Sequence, residues 1–190
     1  MSYFKKTEYE IVPTQSFTIL RNCSGCGRKT YFKNTNRFRV NANGNKLDVW
    51  LIYQCEKCRH TFNITIYERQ SPASIPKEEY RDFLENDGQL AMRYGTDTGL
   101  FTRNRAEIDF NHIDYRFKML SETIKSDACE GREMITIKNP YGLKIRLEKL
   151  AADILGMSRN QIKKHMQEGK IKMEYTGEIF IVTLDSKRAD

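Results

Sequence analysis

The chain has 190 residues, room for one domain or two small ones and too little for a large multi-domain enzyme. Its 32 Lys and Arg against 25 Asp and Glu give a formal net charge of +7, which favours an anionic partner over a cationic one. Hydrophobic residues make up 39% of the chain and no apolar run approaches the roughly 18 residues of a membrane span, so the composition predicts a soluble, cytoplasmic protein with small cores and no membrane partner.

Charge divides the chain into three parts. Residues 1–70 carry 12 basic and 5 acidic side chains, residues 71–138 carry 10 and 13, and residues 139–190 carry 10 and 7. The expected organisation follows these parts: a zinc ribbon over 1–70, an acidic and mainly helical middle over 71–138, and a helix-turn-helix plus hairpin module over 139–190. The expected fold class is α+β.

In the first part, Ser16–Leu20 reads as a strand leading into Cys23-Ser-Gly-Cys26-Gly27, and Phe62–Tyr67 as a strand leaving Cys55-Glu-Lys-Cys58. Between the pairs, Arg37–Val40 and Leu47–Tyr53 flank Asn43-Gly44, a short-range hairpin signal. A two-residue gap lets a tight turn aim two thiolates at one ion, and two such turns complete the tetrahedral shell that structural Zn²⁺ takes. Cys23, Cys26, Cys55 and Cys58 are therefore the expected ligands of one structural Zn²⁺. A redox pair is the competing reading, disfavoured because two matched pairs occur without a βαβ pattern. His60 is expected to be an exposed neighbour rather than a ligand, and Cys129 stands alone. Arg28, Lys29, Arg37 and Arg39 alternate with Tyr31, Phe32 and Phe38, a composition suited to tracking phosphates, and form a candidate secondary basic surface. The bland alternative is a solvated face over an ordinary core.

Ser71–Pro76 reads as a linker. Pro76 suits the first position of a short helix in which Tyr80, Phe83 and Leu84 form a stripe, with Asn86-Asp87-Gly88 as its stop. The three- and four-residue spacing of Phe110, Ile113, Phe117, Leu120 and Ile124 predicts a second helix over 111–125. No nucleophile–base arrangement, Gly-rich phosphate loop or acidic metal cluster is recognisable, so no catalytic residue is expected.

The last part is more specific. Leu147, Leu150, Ala151, Ile154 and Leu155 form a helical stripe ended by Gly156, and Ser158 with Gln161 forms a capping box for a second helix that stops at Gly169. Lys170–Tyr175 and Glu178–Leu184 then read as a hairpin around Thr176-Gly177. Over about forty residues the pattern Arg146-Leu147-x-Lys149-Leu150-Ala151, Ser158-Arg159-x-x-Ile162 and Gly169-x-Ile171 resembles the small RNA-binding module named after the fourth small-subunit ribosomal protein. The resemblance implies RNA contacts from Arg146, Ser158, Arg159, Lys163, Lys164, Lys170 and Lys172. Glu174 departs from it, standing where that family usually has Asn. The order of ribbon, acidic middle and module also resembles a bacterial domain family of unknown function, a resemblance that implies architecture and no activity.

The expectation is thus a zinc-stabilised, non-catalytic protein that binds RNA, ribosomal or otherwise structured. A DNA-binding or transcription-associated adaptor that uses the ribbon for protein contacts is the main alternative, and an RNA-modifying enzyme the lesser one. The oligomeric state is left open.

Overall fold

Alternation of apolar and polar residues builds most of the protein as strands in a computed structural model that describes residues 4–125 and 132–185. The architecture is α+β, with two five-stranded sheets. The chain divides into two compact units, one formed by Pro13–Asp114 and the other by Met1–Val12 with Tyr115–Asp190. This division cuts across the three parts expected from charge. The opening strand β1 (Phe4–Pro13) belongs to the sheet of the C-terminal residues and not to that of the cysteine pairs.

The unit Pro13–Asp114 holds β2 (Ile19–Cys23), β3 (Arg28–Asn43), β4 (Lys46–Cys55) and β5 (Thr61–Gln70). Helices α1 (Lys77–Glu85), α2 (Gly88–Gly95) and α3 (Thr98–Arg103) follow, and β6 (Glu107–Ile108) ends the series. The sheet order is β5-β4-β3-β2-β6, antiparallel throughout. Strand β4 shows the governing pattern: Leu47, Val49, Leu51, Tyr53 and Cys55 are buried on one face while Asp48, Trp50, Ile52 and Gln54 are half-buried on the other. Ile75, Phe83 and Leu90 pack on Leu47 and Val49. The Tyr53 hydroxyl, deep among Phe17 and Phe101, donates to the Phe17 carbonyl at 3.0 Å, and burial raises its pKa well above the ordinary phenol range.

Residues 71–76 are not a free linker. Pro72–Ser74 make a 3-10 turn and Ile75 is only 5% exposed, so this stretch fastens the helices to the sheet. Pro76 is the N-cap of α1 rather than its first residue. Helices α2 and α3 were not expected; their sequence signal was the N-caps Asp87 and Asp97, whose carboxylates accept from the Leu90 and Leu100 amides at 2.7 and 3.0 Å.

The other unit adds β7 (Tyr115–Lys125), β8 (Arg132–Lys138), helices α4 (Leu147–Leu155) and α5 (Arg159–Gln167), and the hairpin β9 (Ile171–Thr176) and β10 (Ile179–Asp185). Its sheet order is β7-β1-β8-β10-β9, with β1 parallel to β8 from Phe4 opposite Arg132 to Glu10 opposite Lys138. The helix expected over 111–125 is instead a 3-10 turn at Phe110–His112 followed by strand β7. Tyr115 and Phe117 also obey a period of two, and β1 offers a sheet edge, with the Tyr9 ring 6.1 Å from Phe117; tertiary pairing overrides the helical spacing. Helices α4 and α5 lie where the stripes place them. Gly156 takes the left-handed C-cap of α4, and the Ser158–Gln161 capping box is complete. Among the described residues no helix is long and apolar enough to cross a membrane.

Candidate metal centre and basic surfaces

Two tight turns between β2 and β3 and between β4 and β5 bring four sulfurs together. In the first, the Cys26 and Gly27 amides both donate to the Cys23 carbonyl, at 3.2 and 2.9 Å. In the second, the Arg59 amide donates to the Cys55 carbonyl at 3.0 Å and the Cys55 amide donates to the His60 carbonyl at 2.8 Å. Cross-strand pairing sets the turns side by side, because Phe32 on β3 lies opposite Cys55 on β4. Gly25 is required by proximity: a Cβ there would stand 2.9 Å from Cys58 Sγ.

The four Sγ atoms lie within 4.8 Å of one another, with Cys23–Cys58 at 3.3 Å and Cys26–Cys55 at 3.8 Å. A tetrahedral ion with metal–sulfur bonds of about 2.3 Å needs edges of about 3.8 Å, so the donor set fits a metal. Desolvation, the largest influence on Cys55, opposes its ionisation. The Cys58 amide, the Thr30 hydroxyl at 3.3 Å and the Lys57 amide outweigh it and lower this thiol to about 6. The Cys58 sulfur, burial and the remaining two sulfurs push Cys26 up to about 12. Without a cation the cluster cannot ionise together, and a divalent cation removes that conflict. His60 is exposed, its Nε2 3.0 Å from Ser24 Oγ, and is not among the four clustered ligands. Cys129 lies outside the described residues.

The residues nominated for RNA contact all fall on α4, α5 and β9 or at their ends. Arg146 is the N-cap of α4 and lines a groove of about 530 Å³ with Lys144 and Tyr175. Tyr175 is exposed and stacks on Phe180 at 4.6 Å, a ring at this surface that the basic pattern did not predict. The Ser158 hydroxyl is engaged in capping α5. Arg159 and Lys163, one turn apart on α5, are exposed and have no carboxylate partner among the described residues. Lys164 and Lys170 are drawn to Glu168, at 3.9 and 3.2 Å, and these cations, the Lys170 hydrogen bond foremost, hold the Glu168 carboxyl below its usual range. Lys172 is exposed on the edge strand β9, on the same face as Glu174.

The secondary basic surface separates into two parts. Lys29 is paired with Glu107 at 2.6 Å and Arg28 begins β3 beside the first metal turn, whereas Arg37 and Arg39 lie further along β3 on a different stretch of the strand.

Fold and site together define an α+β protein in which one sheet gathers four cysteine sulfurs at metal-binding distance. The chain belongs to the family described as "Protein of unknown function (DUF1062)", whose model matches residues 40–176. That match includes Cys55 and Cys58 and starts after Cys23 and Cys26. No curated protein matches the chain, and no solved structure does.

Proposed function

We propose that this is a zinc-stabilised, non-catalytic protein of the reducing cytoplasm that binds structured RNA through its C-terminal helices and hairpin. One observation carries the reading: Arg159 and Lys163 stand exposed on one side of α5, without carboxylate partners among the described residues, at a helix N-terminus that itself attracts phosphate. Arg146 and the exposed Tyr175 ring support it by adding a cation and a stacking surface in one groove. Zinc is the metal of the proposal because four thiolates suit its tetrahedral shell and leave no open position for a reacting water.

A fluorescence titration of an RNA hairpin against the metal-loaded protein tests the reading. Affinity is expected to fall steeply with salt, and Arg159→Ala and Lys163→Ala should each flatten the salt slope by about 1. Tighter retention of duplex DNA than of the hairpin would replace RNA by DNA as the partner, and salt-insensitive binding would overturn both.

A further inference from the structure

The outer face of the metal-bearing sheet carries a second feature. Between Asn34 opposite Tyr53 and Phe38 opposite Leu51, β3 bulges, passing more residues than β4 does over the same stretch. Several polar groups hold the bulge in shape. The Thr35 hydroxyl donates to the Ile52 carbonyl at 2.8 Å, the Asn36 amide donates to Asn34 Oδ1 at 2.8 Å, and the Phe38 amide donates to Asn86 Oδ1 at 2.7 Å. Asn36, within the bulge, occupies the left-handed region at φ 55°, a conformation asparagine adopts more readily than most residues. A built bulge beside a groove re-aims side chains, and here it borders a groove of about 860 Å³.

Four cations line that groove: Lys33, Arg37, Arg39 and Arg59. Lys33 is neutralised by Glu56 at 2.5 Å. The other three are exposed and have no carboxylate partner among the described residues. Arg59 reaches the groove because the second metal turn forces its backbone to φ 62° and ties its amide to Cys55. Trp50, the only tryptophan of the chain, lies opposite Arg39 and so continues the same face. Three unneutralised guanidiniums call for an occupant with several spaced anionic oxygens, since each fork accepts a phosphate in bidentate fashion. The groove is open and lined by polar and apolar surface in similar measure, which fits a strand laid across the sheet better than an enclosed small molecule.

We propose that this groove binds single-stranded nucleic acid through its phosphates. The site is separate from the α5 surface and does not rest on the RNA reading given for it. Recognition through phosphates predicts that oligouridine and oligothymidine of equal length bind alike, in contrast to a preference for folded RNA.

The test compares the metal-loaded parent with the double variant R37Q/R39Q in titrations of oligouridine against salt. Both side chains are exposed, so the variant is expected to keep its metal and melting temperature. Its affinity should fall at least tenfold and its salt slope should flatten by about 1.4, two contacts at about 0.7 each for single strands. Parental affinity and slope in the variant would overturn the proposal. Photo-crosslinking of oligouridine to the unaltered protein reads the site without relying on the variant's fold. Adducts within 33–61 support the groove, and adducts confined to 144–172 overturn it while leaving the α5 reading standing.

Discussion

In the sheet that holds the four clustered cysteines, consecutive strands β2 to β5 are neighbours joined by short turns, and two of those turns carry the cysteines. The other sheet is assembled from distant pieces: β1, which lies between β7 and the central strand β8, opens the chain, yet Phe4 lies opposite Arg132 in parallel register. Local pairing costs little loop-closure entropy and leaves its mark in turn residues, whereas the parallel pairing depends on contacts that no neighbouring residue announces. Both sheets bury apolar side chains, but among the described residues only the first also gathers four sulfurs at metal-binding distance.

Removing a ligand should divide them most sharply. Cys55→Ser takes away a thiolate that the Thr30 hydroxyl and the Cys58 amide hold ready for the metal. Metal binding in zinc-finger peptides is worth about 10–16 kcal/mol, as much as the whole net stability of an ordinary domain. The expected result is loss of the ion, by elemental analysis, and loss of amide-exchange protection through β2 to β5, with protection in β1 and β8 retained. Full metal content with parental exchange would show that the cysteines are not what holds this sheet.

The converse perturbation belongs in the other unit. Ile137 is fully buried on β8, between Tyr9 on β1 and Phe180 on β10, and Ile137→Ala should cost about 2–5 kcal/mol there. The metal content should remain that of the parent, measured on the same sample as its denaturant midpoint. A parallel loss of metal would show that the two sheets do not respond separately.

The contrast also explains what could be read in advance. Cys-x-x-Cys spacing, Asn43-Gly44 and the Ser158–Gln161 box are local chemistry, and the turns, hairpin and helix they indicate are present. Ile113, Phe117, Leu120 and Ile124 keep helical spacing, yet the edge of β1, remote in sequence, makes a strand of 115–125. Asp87 and Asp97 are local cap signals for α2 and α3, but helices of 8 and 6 residues show too little apolar periodicity to stand out in the sequence. The groove beside the bulge was legible only in part: Arg37 and Arg39 stood out by composition, while Arg59 joins them through the geometry of the metal turn.

A smaller effect tests how tightly the helices are seated on the sheet that holds the cysteines. Gly95 ends α2 so close to the sheet that an added Cβ would lie 2.2 Å from Ser16 Oγ and 2.9 Å from Asn34 Nδ2. The same Asn34 amide donates to Ser16 Oγ at 2.8 Å and to the Ala91 carbonyl at 3.1 Å, so it cannot withdraw without breaking the join. Gly95→Ala should cost about 1–3 kcal/mol in the melting of this unit, the usual penalty of overpacking. An unchanged melting temperature would mean that Ser16 and Asn34 move aside freely.

The smallest expected change concerns the cap of α5. Ser158 accepts from the Gln161 amide at 3.2 Å and its own amide donates to Gln161 Oε1 at 2.8 Å. Ser158→Ala leaves that amide of the first turn to water and should cost about 1 kcal/mol, and Ser158→Gly only a few tenths, because glycine exposes the helix end to solvent better. The two substitutions remove the same hydroxyl, so they separate its role in holding the helix from any contact it makes with a partner. If RNA affinity falls equally in both while stability falls mainly in the alanine variant, the hydroxyl itself meets the RNA. If affinity follows stability, Ser158 acts only by keeping Arg159 and Lys163 on a formed helix, which is the outcome its occupied hydrogen bonds predict.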